Sequence, residues 1–238
     1  ALGAFDTRRY LNGFYSLRLV ATDIGGRQTR QDVRIEINGG DKVARHTETR
    51  TDLVTQLGGI TFGLTRRYDS LVSGDADFGS WSAGFDLDVS MDLQATGREG
   101  LGIYPPIQEG TRLYLTTPTG ERVGFTFAPT EQKVGGATFW RPAWVADSGG
   151  WTLATADSVL RKTGGRYYSA GDGLPYNPMD PQSGGAQPFI LTSNQGTAYV
   201  LNSAGRVQEI RAGGQRLFVG ESGIVATNGD VLTFLRDT

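Results

Sequence analysis

An all-β fold, laid out as an antiparallel meander of hairpins, is what this sequence predicts, and three features predict it. Apolar residues recur at alternate positions, most clearly at Phe85, Leu87, Val89, Met91 and Leu93, with Asp86, Asp88, Ser90 and Asp92 between them. Period-two alternation marks a half-buried strand. Glycine is abundant, at 35 of 238 residues, twice the average usage of about 7%. These glycines fall between the apolar runs, where tight turns need them. Helical periodicity is nearly absent, with Thr155 to Lys162 the one stretch that reads as a short helix.

Taken in order, Tyr15, Leu17, Leu19 and Ala21 alternate, Asp23-Ile24-Gly25-Gly26 turns the chain, and Val33, Ile35 and Ile37 alternate again. This is a hairpin, and two strands alone bury too little surface to be stable. It must therefore pack on the rest of the chain, on another module, or on another copy. Residues 39–57 are polar and read as a linker or exposed strand, so the expected division is 1–38, 39–57 and 58–238. Ile60, Phe62 and Leu64 open the next strand, a Gly/Ser/Asp turn follows at Ser73 to Asp77, and the alternating run ends at Leu93. Arg112 to Thr116 and Arg122 to Phe127 flank a Pro118-Thr119-Gly120 turn. Thr138 to Val145 is an aromatic strand, and Gly164 to Gly185 reads as one long loop. Loops of that length are commonly functional or mobile. Short strands then follow closely, at Phe189–Thr192, Thr197–Leu201, Arg206–Arg211, Arg216–Val219, Ile224–Ala226 and Val231–Leu235.

The chain is long enough to bury a core without staples, and it has no cysteine. That removes disulfides and thiolate zinc sites. A net charge of −2 with interleaved signs lacks the basic face of a nucleic-acid binder. No apolar run reaches the ~18 residues that span a bilayer. Ala1-Leu2-Gly3 follows no signal-like segment and reads as an internal start within something longer.

The only histidine, His46, has no orienting group in view, and no G-x-S-x-G elbow presents a serine, so triad catalysis is not expected. Asp75-x-Asp77-x-Gly79 resembles the start of a calcium loop, but Gly79 and Ser80 stand where a ligand and the invariant glycine belong. An Asx-stabilised turn is the simpler reading. Asp86, Asp88 and Asp92 share one strand face and could form an acid/base pair for glycosides; a solvated sheet face explains them better. No cofactor is expected. Aromatic residues are the stronger ligand candidates: Tyr167, Tyr168 and Tyr176 in the Gly-rich stretch could stack on a sugar or anchor a partner. Trp81, Trp140 and Trp151 are expected in the core.

Arg66-Arg67-Tyr68-Asp69-Ser70 and Asp77-Phe78-Gly79-Ser80-Trp81-Ser82 resemble the opening of the shell in bacterial YD-repeat (RHS) proteins. The motif residues are Arg67, Tyr68, Asp69, Phe78, Gly79 and Trp81, with one glycine fewer before Trp81 than the family pattern. Gly13 to Asp23 resembles the last strands of the immunoglobulin-like module that precedes such shells, and Tyr199 to Ile210 resembles one YD repeat. The resemblance implies part of a spiralling β shell, extracellular or on the cell surface. It implies a non-enzymatic, structural role, with other modules of a longer parent chain or further copies as partners. Glycan binding through loop aromatics, or a glycan-active enzyme on a β scaffold, are the alternatives.

Overall fold

The computed structural model describes residues 3–10, 13–37, 46–70, 81–85, 90–93, 104–117, 121–182 and 189–235. It is all-β and antiparallel, with one single-turn 3-10 helix, Thr7–Arg9, as the helical element among these residues. No helix here is long and apolar enough to cross a membrane. Contacts divide the chain into two compact units: residues 1–50 with 66–83, and residues 51–65 with 84–238.

In the first unit, β1 (Gly13–Thr22) and β2 (Gln28–Ile37) pair in continuous register from Gly13↔Ile37 to Thr22↔Gln28. The turn is set by Asp23, whose Oδ1 accepts the Gly25 and Arg27 amides at 2.8 and 2.9 Å. Gly26 sits at φ 80, a left-handed conformation in which a side chain would clash. Strand β3 (Thr47–Leu57) replaces most of the expected linker. It neighbours β4 (Ile60–Asp69), which in turn neighbours β5 (Trp81–Phe85). The β3–β4 turn is Gly58-Gly59, and residues 51–65 belong to the second unit.

The second unit holds the large core. Strands β6 (Ser90–Leu93), β7 (Arg112–Thr116), β8 (Arg122–Phe127) and β11 (Trp144–Ala146) form one sheet in the order β11-β8-β7-β6. Strands β9 (Thr130–Val134), β10 (Ala137–Arg141), β13 (Leu160–Thr163) and β14 (Arg166–Ser169) form another, ordered β14-β13-β10-β9. The Thr138–Val145 run is thus two strands, because Pro142 interrupts it where Pro129 interrupts the chain between β8 and β9. Proline has no N–H to give the ladder, so each half of the bent hairpin joins a different sheet. Thr155–Lys162 is not a helix: β12 (Trp151–Thr155) ends there, residues 156–159 are irregular, and β13 begins at Leu160. Its β-branched residues and the cross-strand partner Tyr168–Tyr167 pair decide against helix.

The C-terminal meander appears as expected. Strands β12, β15 (Phe189–Ser193), β16 (Ala198–Leu201), β17 (Val207–Ala212), β18 (Gln215–Gly220), β19 (Gly223–Ala226) and β20 (Val231–Thr233) make a seven-stranded sheet in that order. Two turn designs recur along the chain. Gly-Gly pairs at 135–136, 164–165 and 213–214, with φ of 57–58 and 78–82, close two-residue hairpins, the primed turns that match strand twist. Longer turns place a hydrogen-bonding side chain first and a positive-φ glycine fourth: Asn202 Oδ1 accepts the Ala204 and Arg206 amides, with Gly205 at φ 78. Tyr199 to Ile210, the YD-like stretch, is therefore one bulged hairpin with Tyr199, Leu201 and Ile210 on the core side.

The main core takes Leu113, Leu115, Val123 and Phe125 from the β6–β8 sheet. It takes Leu191, Leu201, Ile210, Leu217 and Ile224 from the seven-stranded sheet, and Leu57, Ile60 and Phe62 from the hairpin tip. The tip approaches closely: a Cβ on Gly58 would lie 2.8 Å from Ala226 Cβ, and the Gly58 amide donates to Asp230 Oδ2 at 3.2 Å.

Candidate docking surfaces and ligand sites

The β1–β2 ribbon is amphipathic across its two faces. By register, Tyr15, Leu17 and Leu19 share one face with Ile35 and Val33, while Arg18, Arg30, Asp32 and Arg34 share the other. The polar face is held by a forked Arg18–Asp32 ion pair at 2.8 and 3.0 Å, which keeps the Asp32 carboxyl below its ordinary range. Toward the turn the apolar face is exposed, with Leu19 and Val33 49% and 51% exposed, while Tyr15, Leu17 and Ile35 are half-buried. One end is shielded: Phe5 stacks on Tyr10 at 4.7 Å, and Tyr10 meets Tyr15 edge-on at 5.8 Å. A twisted two-stranded ribbon with a bare apolar face is marginal in water.

The seven-stranded sheet has a second apolar ridge, on the face opposite its core. Pairing aligns Ala154, Ile190, Val200, Glu209, Phe218, Val225 and Val231 in one row across the sheet. At the β20 end Phe218, Val225 and Val231 are exposed. In the middle of the row Glu209 is buried at 6% exposure and bridges Arg211 at 2.8 Å and Arg216 at 3.4 Å. The hydrogen bonds from Arg211 are the chief reason that the Glu209 carboxyl is held below its ordinary value of 4.5, with Arg216 adding to the effect. A carboxylate lowered in the folded state contributes its stability above the unfolded value, and loses it as pH falls through the folded value. Glu209→Gln is therefore expected to cost about 1–3 kcal/mol near neutrality, on the scale of hydrogen bonds to charged groups. It should also flatten the acid limb of stability below pH 4.5. Urea unfolding at several pH values checks both.

The tyrosines expected to bind ligands are mostly interior. Tyr167 has no exposed surface and Tyr176 is 4% exposed, whereas Tyr168 is half-buried. Tyr167 and Tyr176 pack around Phe127, edge-on at 5.5 Å and stacked at 5.9 Å, so neither ring is available to a sugar. Tyr176 bonds Thr155 Oγ1 at 3.0 Å, and burial pushes its hydroxyl pKa strongly upward. The reason is that the described part of the expected loop, residues 164–182, is not one open loop. Gly164-Gly165 turns β13 into β14, and the Tyr176 amide donates to the Tyr167 carbonyl while its own carbonyl accepts the Ile107 amide. Trp140 and Trp151, expected in the core, are half-buried and packed against the two cores.

Tyr68 lies in β4 with its ring 5.9 Å from His46, and the His46 amide donates to Ser70 Oγ at 2.8 Å. Arg67, Asp69 and Trp81 lie in β4 and β5. Phe78, Gly79, Asp75, Asp77, Asp86 and Asp88 lie outside the described residues. Among the described residues no group of acidic, histidine or cysteine side chains is arranged to hold a metal ion.

Sequence patterning weighed Trp151 as a ligand contact and favoured a place in the core. Two shallow hollows flank it, of about 410 and 370 Å³, with Gly149, Gly150, Trp151, Ser193 and Asn194 forming their common wall. Trp151 lies opposite Ser193 in the β12–β15 pair, and its ring is tilted against Tyr199 at 6.1 Å. Comparison with protein-family models, with curated proteins and with solved structures returns no match.

Proposed function

We propose that this chain is a non-catalytic structural segment that works by joining its sheets to neighbouring β modules, in the manner of the YD-repeat shells it resembles. The observation that carries this reading is the exposed part of the apolar face of the β1–β2 ribbon, at Leu19 and Val33. A single ribbon cannot stabilise itself, so a second sheet must cover that face, as in a sandwich. An immunoglobulin-like module in a longer parent chain supplies such a sheet, and in its absence another copy of the ribbon does. Placement outside the cell or on its surface belongs to the same reading.

The isolated chain is expected to associate as concentration rises from micromolar to millimolar, with amides of residues 13–37 gaining protection from hydrogen exchange on association. The double variant Leu19→Lys/Val33→Lys should abolish association and leave the unfolding of the second unit unchanged. Sedimentation of a single monomeric species across the whole range, identical for wild type and variant, would count decisively against the proposal.

A further inference from the structure

The geometry around Trp151 points to a binding site for a neutral oligosaccharide, on a different surface from the ribbon. Trp151 presents a half-buried ring between the two hollows, whose volumes of about 410 and 370 Å³ fall at the small end of ligand pockets, about 300–1,000 Å³. Its ring is held in place by Tyr199 and by the core beneath, so little motion is lost when a flat ligand lies on it. Beside the ring the wall is bare backbone. Gly150 has φ 109, and a Cβ at Gly149 or Gly150 would meet nothing within 4 Å. The Gly150 carbonyl accepts the Asn194 amide at 2.8 Å, which fixes that wall to the β15–β16 turn.

The rim supplies polar groups of the right kind. Asn194 and Gln195 occupy the two central positions of the Ser193–Gly196 turn, and both are exposed at the edge of the second hollow. Their side-chain amides have no hydrogen-bond partner among the described residues, and each offers both a donor and an acceptor. A sugar ring needs that combination: a planar apolar platform under its C–H face, and amides that can both give to and take from hydroxyls. The charges select among sugars. Glu121 is exposed at the second hollow, and Asp147, at the first, is already paired with Arg112. Among the described residues no cation lines either hollow, so the Glu121 carboxylate would repel an anionic saccharide and not a neutral one.

Isothermal titration with cellohexaose, maltohexaose, xylohexaose, chitohexaose and hexagalacturonate tests this on the whole chain. At least one neutral hexasaccharide is expected to bind with a Kd in the micromolar to millimolar range, and the galacturonate is not. Trp151→Ala should weaken binding about tenfold or more, the scale of a lost stacking contact. Asn194→Ala and Gln195→Ala should each weaken it about threefold or more, and Tyr168→Ala should leave it unchanged. Because Trp151 also packs on the core, the two turn variants decide the matter should Trp151→Ala fail to fold. The inference is overturned if no neutral hexasaccharide binds at millimolar concentration, or if binding is unaltered in both Asn194→Ala and Gln195→Ala. Neither result bears on association through the ribbon, which is read by sedimentation.

Discussion

Phe127→Ala is expected to be among the most destabilising substitutions in the chain, costing about 3–5 kcal/mol, the range for emptying a buried aromatic site. Phe127 is fully buried and contacts three other rings: Trp144 at 5.1 Å, Tyr167 at 5.5 Å and Tyr176 at 5.9 Å. These rings come from β11, β14 and the segment after β14, so the cavity would open where separate elements converge. Collapse is impeded because Tyr176 is tethered to Thr155 and Tyr167 is pinned between Phe127 and Trp140. Urea unfolding should show a lower midpoint with an unchanged slope. Tyr168→Ala, on the opposite face of β14, serves as the control and should cost less. Equal effects of the two substitutions would contradict the placement of Tyr167 inside and Tyr168 outside.

Gly223→Ala carries the second large effect, and it is local. Gly223 opens β19 at φ 152, and a Cβ there would lie 2.1 Å from the Leu232 carbonyl oxygen of β20. The obstructing atom is backbone, so no side-chain rotation relieves it. Strain of about 1–3 kcal/mol and overpacking of about 1–3 kcal/mol together suffice to push β20 off the sheet. Hydrogen exchange should show lost protection at Val225 and Val231–Thr233, which pair across β19 and β20, while β15–β17 remain protected. Ala226 and Leu217 would stay in the core, since their contacts do not depend on β20. Uniform loss of protection across the sheet would mean that the sheet unfolds as one unit.

The contrast between these two residues shows what could be read from the chain before its structure. Gly223 and Phe127 look alike on paper, a glycine after a turn and a phenylalanine in an alternating strand. The strands themselves were legible where one face is buried and one is wet, as in β12, β18 and β19, because alternation records a local fact about each residue. The Asp23–Gly26 turn was legible too, because positive φ is a local demand, whereas Gly164-Gly165 was read as the start of a loop and closes a hairpin. Of the two readings of residues 47–57 the exposed strand holds and the linker does not, and the ligand reading failed for Tyr167 and Tyr176: the state of a polar strand or a tyrosine depends on what lies opposite it.

By itself, then, the sequence determined the fold class, the hairpin order and the location of most turns, all properties set within a few residues. Tertiary structure alone decided which rings face inward, since Tyr167 and Tyr168 are chemically identical and differ only in which side of β14 meets Phe127. It also decided that Pro129 and Pro142 sit at matching breaks of one bent hairpin, and that Trp151 stands between two hollows while Tyr176 is enclosed. Each of these is a relation between residues far apart in the chain, and only packing brings the partners together.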